Sequence, residues 1–216
     1  VVFDVESSLV QQTSLQEFIR KIHDRMHADS DAAGRQEIPD GQIKSLLENA
    51  KRLKGLSADD FERYVDILQL NPGTFELIKI LKSMGFKIAL LSSGLNFFIK
   101  KIFETAGVDY AFSNTLEVDD TGVFTGNLEK PIITNDTKEE LLEFIVQNEN
   151  IRREQVIAVG DGSKSSHFIK NVGLSIALNP ENPNIMTDGV LSNDQLLNIL
   201  YCLGIPKEEL NKYLNE

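Results

Sequence analysis

The sequence predicts an α/β fold: a mostly parallel, doubly wound sheet with helices on both faces, interrupted after its first strand by a helical insertion. Three observations predict it. From Pro72 onward, short apolar runs alternate with stretches of helical spacing, the pattern of strand–helix–strand units. A lone apolar run, "VVFDV", opens the chain and has the character of a buried strand. Between Thr13 and Leu70 the apolar residues recur at helical spacing, and no strand pattern intervenes.

The elements follow in order. After the opening strand, "SLQEFIRKIHDRMH", "GQIKSLLENAKRLKGL" and "SADDFERYVDIL" form the helical module. In the last of these, Ser57 followed by Asp59 and Asp60 marks a helix start, because early carboxylates complement the helix dipole. Pro72-Gly73 then punctuates, and the helix "TFELIKILKSMG" ends at Gly85. "KIALLSSG" is a strand running into a turn, and "NFFIKKIFETAGV" a helix closed by Gly107. "YAFSNTLEVDDTGVFTGNL" alternates and carries turn signals, which predicts short strands and a hairpin. "NDTKEELLEFIVQNENI" is a helix capped by Asn135 or Asp136. "QVIAVGDG" is a further strand-to-turn, "KSSHFIKNVG" a helix, "LSIALN" a strand, "SNDQLLNILYCLG" a helix and "KEELNKYLNE" a solvated amphipathic helix. The expected division is a core of residues 1–10 and 72–216, with residues 11–71 as an inserted helical cap.

Composition narrows the class. The chain has 216 residues, which suits one domain with an insertion or two small domains. Its net charge of −11 argues against a nucleic-acid partner. It does not argue against a small anionic substrate, since lysines, backbone N–H groups and a metal bind phosphate locally. The lone cysteine, Cys202, permits no internal disulfide and reads as a buried small hydrophobe. With no membrane-length apolar stretch and no signal-peptide pattern, a cytoplasmic protein without a membrane partner is expected; the oligomeric state stays open.

Four polar points stand out. Three strands end in Asp4-Val5-Glu6, Ser92-Ser93-Gly94 and Gly160-Asp161-Gly162. In open α/β sheets, ligand sites lie at the carboxyl ends of strands, so the fold gathers these turns. The fourth point is Lys138 in the first turn of a helix, where a cation opposes the dipole unless an anion lies nearby. Singly, each has a plainer account: Asp4 as a solvated strand end, Ser92–Gly94 as an ordinary turn, Lys138 as a surface charge. Asp161 between two glycines is the strongest single point, because glycine lets the backbone approach a ligand.

Taken together in this order, "FDVESS", "LLSSG", "TNDTKEELLEF" and "VGDGSKSSHF" resemble the four motifs of the haloacid dehalogenase superfamily of phosphohydrolases. "LKGLS", "NPGTFELIKILKSMGFKIALLSSG" and "GVFTGNLEKPII" are similar to its phosphoserine phosphatase group. The resemblance implies a Rossmann-like core and an Mg²⁺-dependent phosphatase acting on a small phosphorylated metabolite. It implies that Asp4 attacks phosphorus and forms an aspartyl-phosphate. Glu6 would protonate the leaving alcohol and then activate water. Ser92, Ser93, Gly94 and Lys138 would bind the phosphoryl group. Mg²⁺ would be held by Asp4, the backbone carbonyl of Glu6 and Asp161.

The chain also departs from the family pattern. Glu6 stands where the family carries Asp, one methylene shorter, and Ser93 replaces a Gly. Lys164 and Ser165 stand where the family carries Asn and Asp, which support the metal from behind its ligands. In the cap, Thr13 occupies the position of a substrate-binding Glu and Asn49 that of an Arg, with Glu17, Lys51 and Arg52 as shifted substitutes. Without that charge pair, phosphoserine would leave its own charges unmatched. His23, His27 and His167 form no defensible metal set, although the first two share an i, i+4 face. Two alternatives to an active phosphatase follow: an impaired member that binds a phosphorylated ligand or partner, and a plain α/β interaction module.

Overall fold

The computed structural model describes residues 1–11, 42–65, 69–182 and 184–214. In chain order its strands are β1 (Val2–Asp4), β2 (Ala89–Leu95), β3 (Tyr110–Asn114), β4 (Leu116–Val118), β5 (Phe124–Leu128), β6 (Ile157–Gly160), β7 (Leu174–Leu178) and β8 (Gly189–Leu191). Six of them form one sheet in the order β3-β2-β1-β6-β7-β8, and every pairing in it is parallel. β4 and β5 form a separate antiparallel hairpin. The helices are α1 (Val5–Ser8), α2 (Gln42–Arg52), α3 (Ala58–Val65), α4 (Thr74–Ser83), α5 (Phe97–Ala106), α6 (Asn135–Asn148), α7 (Ile199–Cys202) and α8 (Lys207–Leu214).

The sheet is buried on both faces, and the two-residue alternation of its strands decides which side chain goes where. Phe3, Leu90, Val159, Ile176 and Leu178 pack on one face with Leu77, Ile78 and Leu81 of α4 and Ile99 and Ile102 of α5. Val2, Ala89, Leu91 and Ala158 pack on the other with Leu142, Ile145 and Val146 of α6 and with Phe168 and Ile169. The helices therefore lie on both faces, as the alternation of strand and helix in the sequence requires. β1 sits at the point where the strand order reverses, with β2 on one side and β6 on the other. Its carboxyl end is the expected ligand crevice of such a sheet.

The chain leaves the sheet after α1 and returns at Asn71, and the two passages are paired. Val10 bridges Leu70 in antiparallel sense. The Gln11 N–H donates to Gln69 O, and the Asn71 N–H to Leu9 O, each at 2.8 Å. The buried Asn71 side chain donates to Ser8 O at 2.8 Å. Between these passages, α2 rests on β5 where Gly126 (φ 88°) permits close approach: a Cβ there would lie 3.0 Å from Lys54 Cβ. Phe61 of α3 meets Phe97 of α5 at 4.5 Å and Phe124 of β5 at 5.5 Å between ring centroids.

Some elements differ from expectation. α6 is capped by Thr134, not Asn135 or Asp136. The Thr134 hydroxyl accepts from Thr137 N–H while the Thr137 hydroxyl accepts from Thr134 N–H, a reciprocal box that neither alternative residue makes. "KSSHFIKNVG" forms a 3₁₀ turn over Lys164–Ile169 instead of an α-helix. "SNDQLLNILYCLG" divides into a 3₁₀ turn at Asn193–Asn198 and the single turn α7. β8 has no counterpart in the sequence pattern. Cys202 is half-buried, and α8 is docked by Leu210, which is 2% exposed and belongs to the core. Among the described residues no helix is long and apolar enough to cross a membrane.

Candidate active site

Asp4 closes β1 opposite Leu91 of β2. Its backbone carbonyl accepts the Ser8 hydroxyl, which turns the chain directly into α1. The side chain is buried, and the Lys138 ammonium lies 3.0 Å from its Oδ1. Lys138 is itself 1% exposed, so both charges of the pair are out of water. Such a pair persists because each charge compensates the other, and removing either takes that compensation from a buried ion. Lys138 Nζ also stands 6.0 Å from the centroid of the Phe168 ring, at the edge of the cation–π range. A cation in the first turn of α6 is explained by this buried carboxylate, as the helix dipole demanded.

Glu6 reaches sideways to the end of β2. Its Oε1 accepts the Ser92 hydroxyl and, at 2.9 Å, the Gly94 N–H. The Gly94 N–H also lies 3.1 Å from Ser92 Oγ. A Cβ at position 94 would sit 2.5 Å from Glu6 Oε1, so a larger residue would push the carboxylate off this position. A serine hydroxyl has one proton to give. While Ser92 gives it to Glu6, it has none for another oxyanion.

Asp161 follows β6, whose Val159 lies opposite Phe3 of β1. Asp4 and Asp161 therefore stand at the ends of neighbouring strands. The Asp161 Oδ1 accepts the Ser163 N–H at 2.9 Å, which shapes the turn. Gly162 has φ 70°, and a Cβ there would run into the Ile185 side chain. The turn is thus fitted against the loop after β7, and its backbone conformation calls for glycine.

Several sequence candidates lie elsewhere. Asn49 is exposed and Arg52 half-buried in the last turns of α2, beside β5, and Lys51 is exposed. Thr13, Glu17, His23 and His27 lie outside the described residues, as do the side chains of Lys164 and Ser165. His167 is exposed, and among the described residues no three His, Cys, Asp or Glu side chains converge as a metal cluster. One residue escaped the sequence reading: Asn114, at the end of β3 and 1% exposed. Its Nδ2 donates to Ser93 O at 2.9 Å and Ile133 O at 2.8 Å, and its Oδ1 accepts the Ile133 N–H at 2.7 Å. The available signal was an asparagine ending a strand, an ordinary turn residue in sequence.

A buried carboxylate–ammonium pair at the switch point of a doubly wound sheet, flanked by a second carboxylate and a hydroxyl-bearing turn, defines a phosphohydrolase-type centre. The model of the haloacid dehalogenase-like hydrolases matches residues 1–173. The chain is 34% identical over 211 residues to a phosphoserine phosphatase of Archaeoglobus fulgidus, covering 96% of this chain and 60% of that protein. It is 31% identical over 206 residues to one of Idiomarina loihiensis, covering 94% and 92%. Two solved structures are 30% identical and each cover 93% of this chain and 96% of theirs. They are a substrate-bound phosphoserine phosphatase, with TM-score 0.73, and a phospho-aspartyl intermediate analogue of phosphoserine phosphatase, with TM-score 0.72. The chain belongs to the haloacid dehalogenase-like hydrolases, as a phosphatase of the phosphoserine phosphatase-like group.

Proposed function

We propose that the chain is an Mg²⁺-dependent phosphomonoesterase that hydrolyses phosphoserine or another small phosphate monoester through an aspartyl-phosphate on Asp4. The observation that carries this is the buried Asp4–Lys138 pair at 3.0 Å. A carboxylate held dry beside a fixed ammonium can attack a phosphoryl group whose oxygens the same ammonium neutralises. An Asp4 Oδ–P bond forms as the ester P–O bond breaks, and the leaving oxygen takes a proton from the Glu6 carboxyl. Water then attacks phosphorus, Glu6 takes its proton, and Asp4 is released with inorganic phosphate. During this cycle Glu6 leaves the Ser92 and Gly94 donors, which then serve the phosphoryl oxygens.

The donor set suits Mg²⁺. Asp4, Asp161 and the carbonyl of Glu6 are all hard oxygen ligands, and two carboxylates with a carbonyl and waters are the usual Mg²⁺ complement. Bound there, the ion would supply charge neutralisation on the phosphoryl oxygens. Substrate choice falls to the insertion, with Thr13, Glu17, Asn49 and Arg52 as the residues to probe. A cytoplasmic setting and a small phosphorylated metabolite as partner accord with the acidic composition and single cysteine.

Phosphate release from an aryl phosphate with Mg²⁺, measured on wild type beside Asp4→Asn, tests the proposal. Turnover abolished by Asp4→Asn supports it. Equal rates in both proteins remove Asp4 as the nucleophile. A second function is favoured by one contact, the Glu6 carboxylate on the Ser92 and Gly94 donors: a relative that binds phosphorylated ligands without turnover. Phosphate binding with no release by wild type selects it.

A further inference from the structure

We propose that Asn114 is a positioning residue that sets two separate phosphate-binding groups at once, the Gly94 N–H and the Lys138 ammonium. The proposal rests on the phosphatase function above and assigns a role within that site.

The first half follows from the planarity of the peptide. Among the described residues the one cis bond is Lys130–Pro131, so Ser93–Gly94 is trans. In a trans peptide the C=O and the following N–H point in opposite directions. Asn114 Nδ2 holds Ser93 O at 2.9 Å, which turns the Gly94 N–H the other way. That N–H is the one that donates to a carboxyl oxygen, Glu6 Oε1, at 2.9 Å. The direction of the donor is therefore set from behind, through the carbonyl on the far side of the same peptide.

The second half runs through Ile133. Asn114 grips that residue at both N–H and C=O, at 2.7 and 2.8 Å, as a neighbouring strand would. The next residue, Thr134, caps α6, and Lys138 N–H bonds back to Thr134 O at 3.3 Å. One amide thus fixes the height and rotation at which α6 begins, and with them the reach of Lys138 to Asp4. The backbone of Asn114 joins in: its O accepts the Asn96 N–H at 2.8 Å, where α5 starts. Asn114 spends both of its side-chain donors and its acceptor on these contacts. Only Gln carries the same planar set of two donors and an acceptor, and it holds the amide one methylene further from the backbone.

A purely structural asparagine would lose stability when replaced and leave ligand affinity alone. A positioning residue loses affinity beyond what its stability loss explains. Inorganic phosphate affinity is measured by calorimetry with Mg²⁺ present, well below the melting temperature. The proteins are wild type, Asn114→Ala, the milder Asn114→Thr, and Leu210→Ala, a core change on α8. Asn114→Ala is expected to bind phosphate about tenfold more weakly, the size of one misdirected hydrogen bond to a charged group. Asn114→Thr should fall between it and wild type, and Leu210→Ala should bind as wild type does. If Asn114→Ala, or Asn114→Thr should the alanine variant not fold, binds as tightly as wild type, the positioning role is overturned while the phosphatase function stands. An equal loss in Leu210→Ala also overturns it, since general loosening then accounts for the effect. If wild type binds no phosphate, the function and the positioning role fall together.

Discussion

The two sides of β1 hold their polar residues in different ways. Toward β2, long-range ties dominate the bonds described: Lys138 to Asp4, Ser92 and Gly94 to Glu6, Asn114 to Ser93 and Ile133. On the β6 side, the Asp161 carboxylate takes its bond from Ser163 two residues on, and Gly162 fits against Ile185. Interlocked contacts between distant segments form only in the complete fold, and they over-determine the groups they hold. The Asp161–Ser163 bond, by contrast, joins neighbours in sequence and forms with the turn itself. The β2 side is thus prepared for an oxyanion before one arrives, and the departures from the family pattern at Lys164 and Ser165 fall on the other side.

This contrast can be broken most forcefully at Lys138. Lys138→Met removes the ammonium from the buried Asp4 carboxylate, and a loss of about 3–5 kcal/mol in unfolding free energy is expected by denaturant titration. Adding Asp4→Asn to that variant should restore much of the loss, because no buried ion then remains. If the double variant is no more stable than the single one, the pair is not the constraint described.

On the β6 side, Gly162→Ala meets both Ile185 and an unfavourable φ, and a loss of about 1–3 kcal/mol is expected. Adding Ile185→Ala should recover the steric part and leave the backbone strain. Full recovery would show that φ at this turn is unimportant.

Glu6→Asp sharpens the comparison at the point where the two sides meet. The shorter carboxylate withdraws from Ser92 and Gly94 and frees their protons for phosphate. A rise in kcat of roughly tenfold on an aryl phosphate is expected, about 1.4 kcal/mol in the barrier. A fall would show that the longer side chain is fitted to its leaving group.

The smallest effect lies outside the site, at Asp188, whose carboxylate is held below its ordinary value of 3.8 by the backbone N–H and hydroxyl of Ser175. A depressed carboxylate stabilises the fold above its unfolded pKa and loses that contribution as pH falls through the folded value. Wild type should therefore melt slightly higher than Asp188→Asn at pH 6, and the gap should close below about pH 4. A gap independent of pH would remove the charge from the account.

The alternation of strands and helices was legible because it is written in local periodicity. The three strand-end turns were legible because chemistry-bearing residues interrupt apolar runs. What stayed hidden depends on distance in sequence. Nothing near Asn114 announces Ser93 or Ile133, and Glu6 could be read as an acid/base without any sign that it rests on Ser92. β8 escaped because its three residues start with glycine and expose Val190. The cap falls on Thr134 and not on Asn135 or Asp136 because its reciprocal box with Thr137 depends on a bond between two side chains and two backbone groups that residue type alone does not reveal.

The pairing of residues 8–11 with 69–71 has an evolutionary consequence. Antiparallel bridged residues lie only about 5 Å apart at their Cα atoms. A segment whose two ends meet so closely can lengthen or shrink without moving the sheet beneath it. If the insertion chooses the substrate, as proposed above, a gene that traded the piece between these ends would change what is chosen and keep the strand ends that carry Asp4 and Asp161. A graft made at the Val10–Leu70 joint would keep the crossing and need only to match the surface of β5 and α5 that Phe61 now covers.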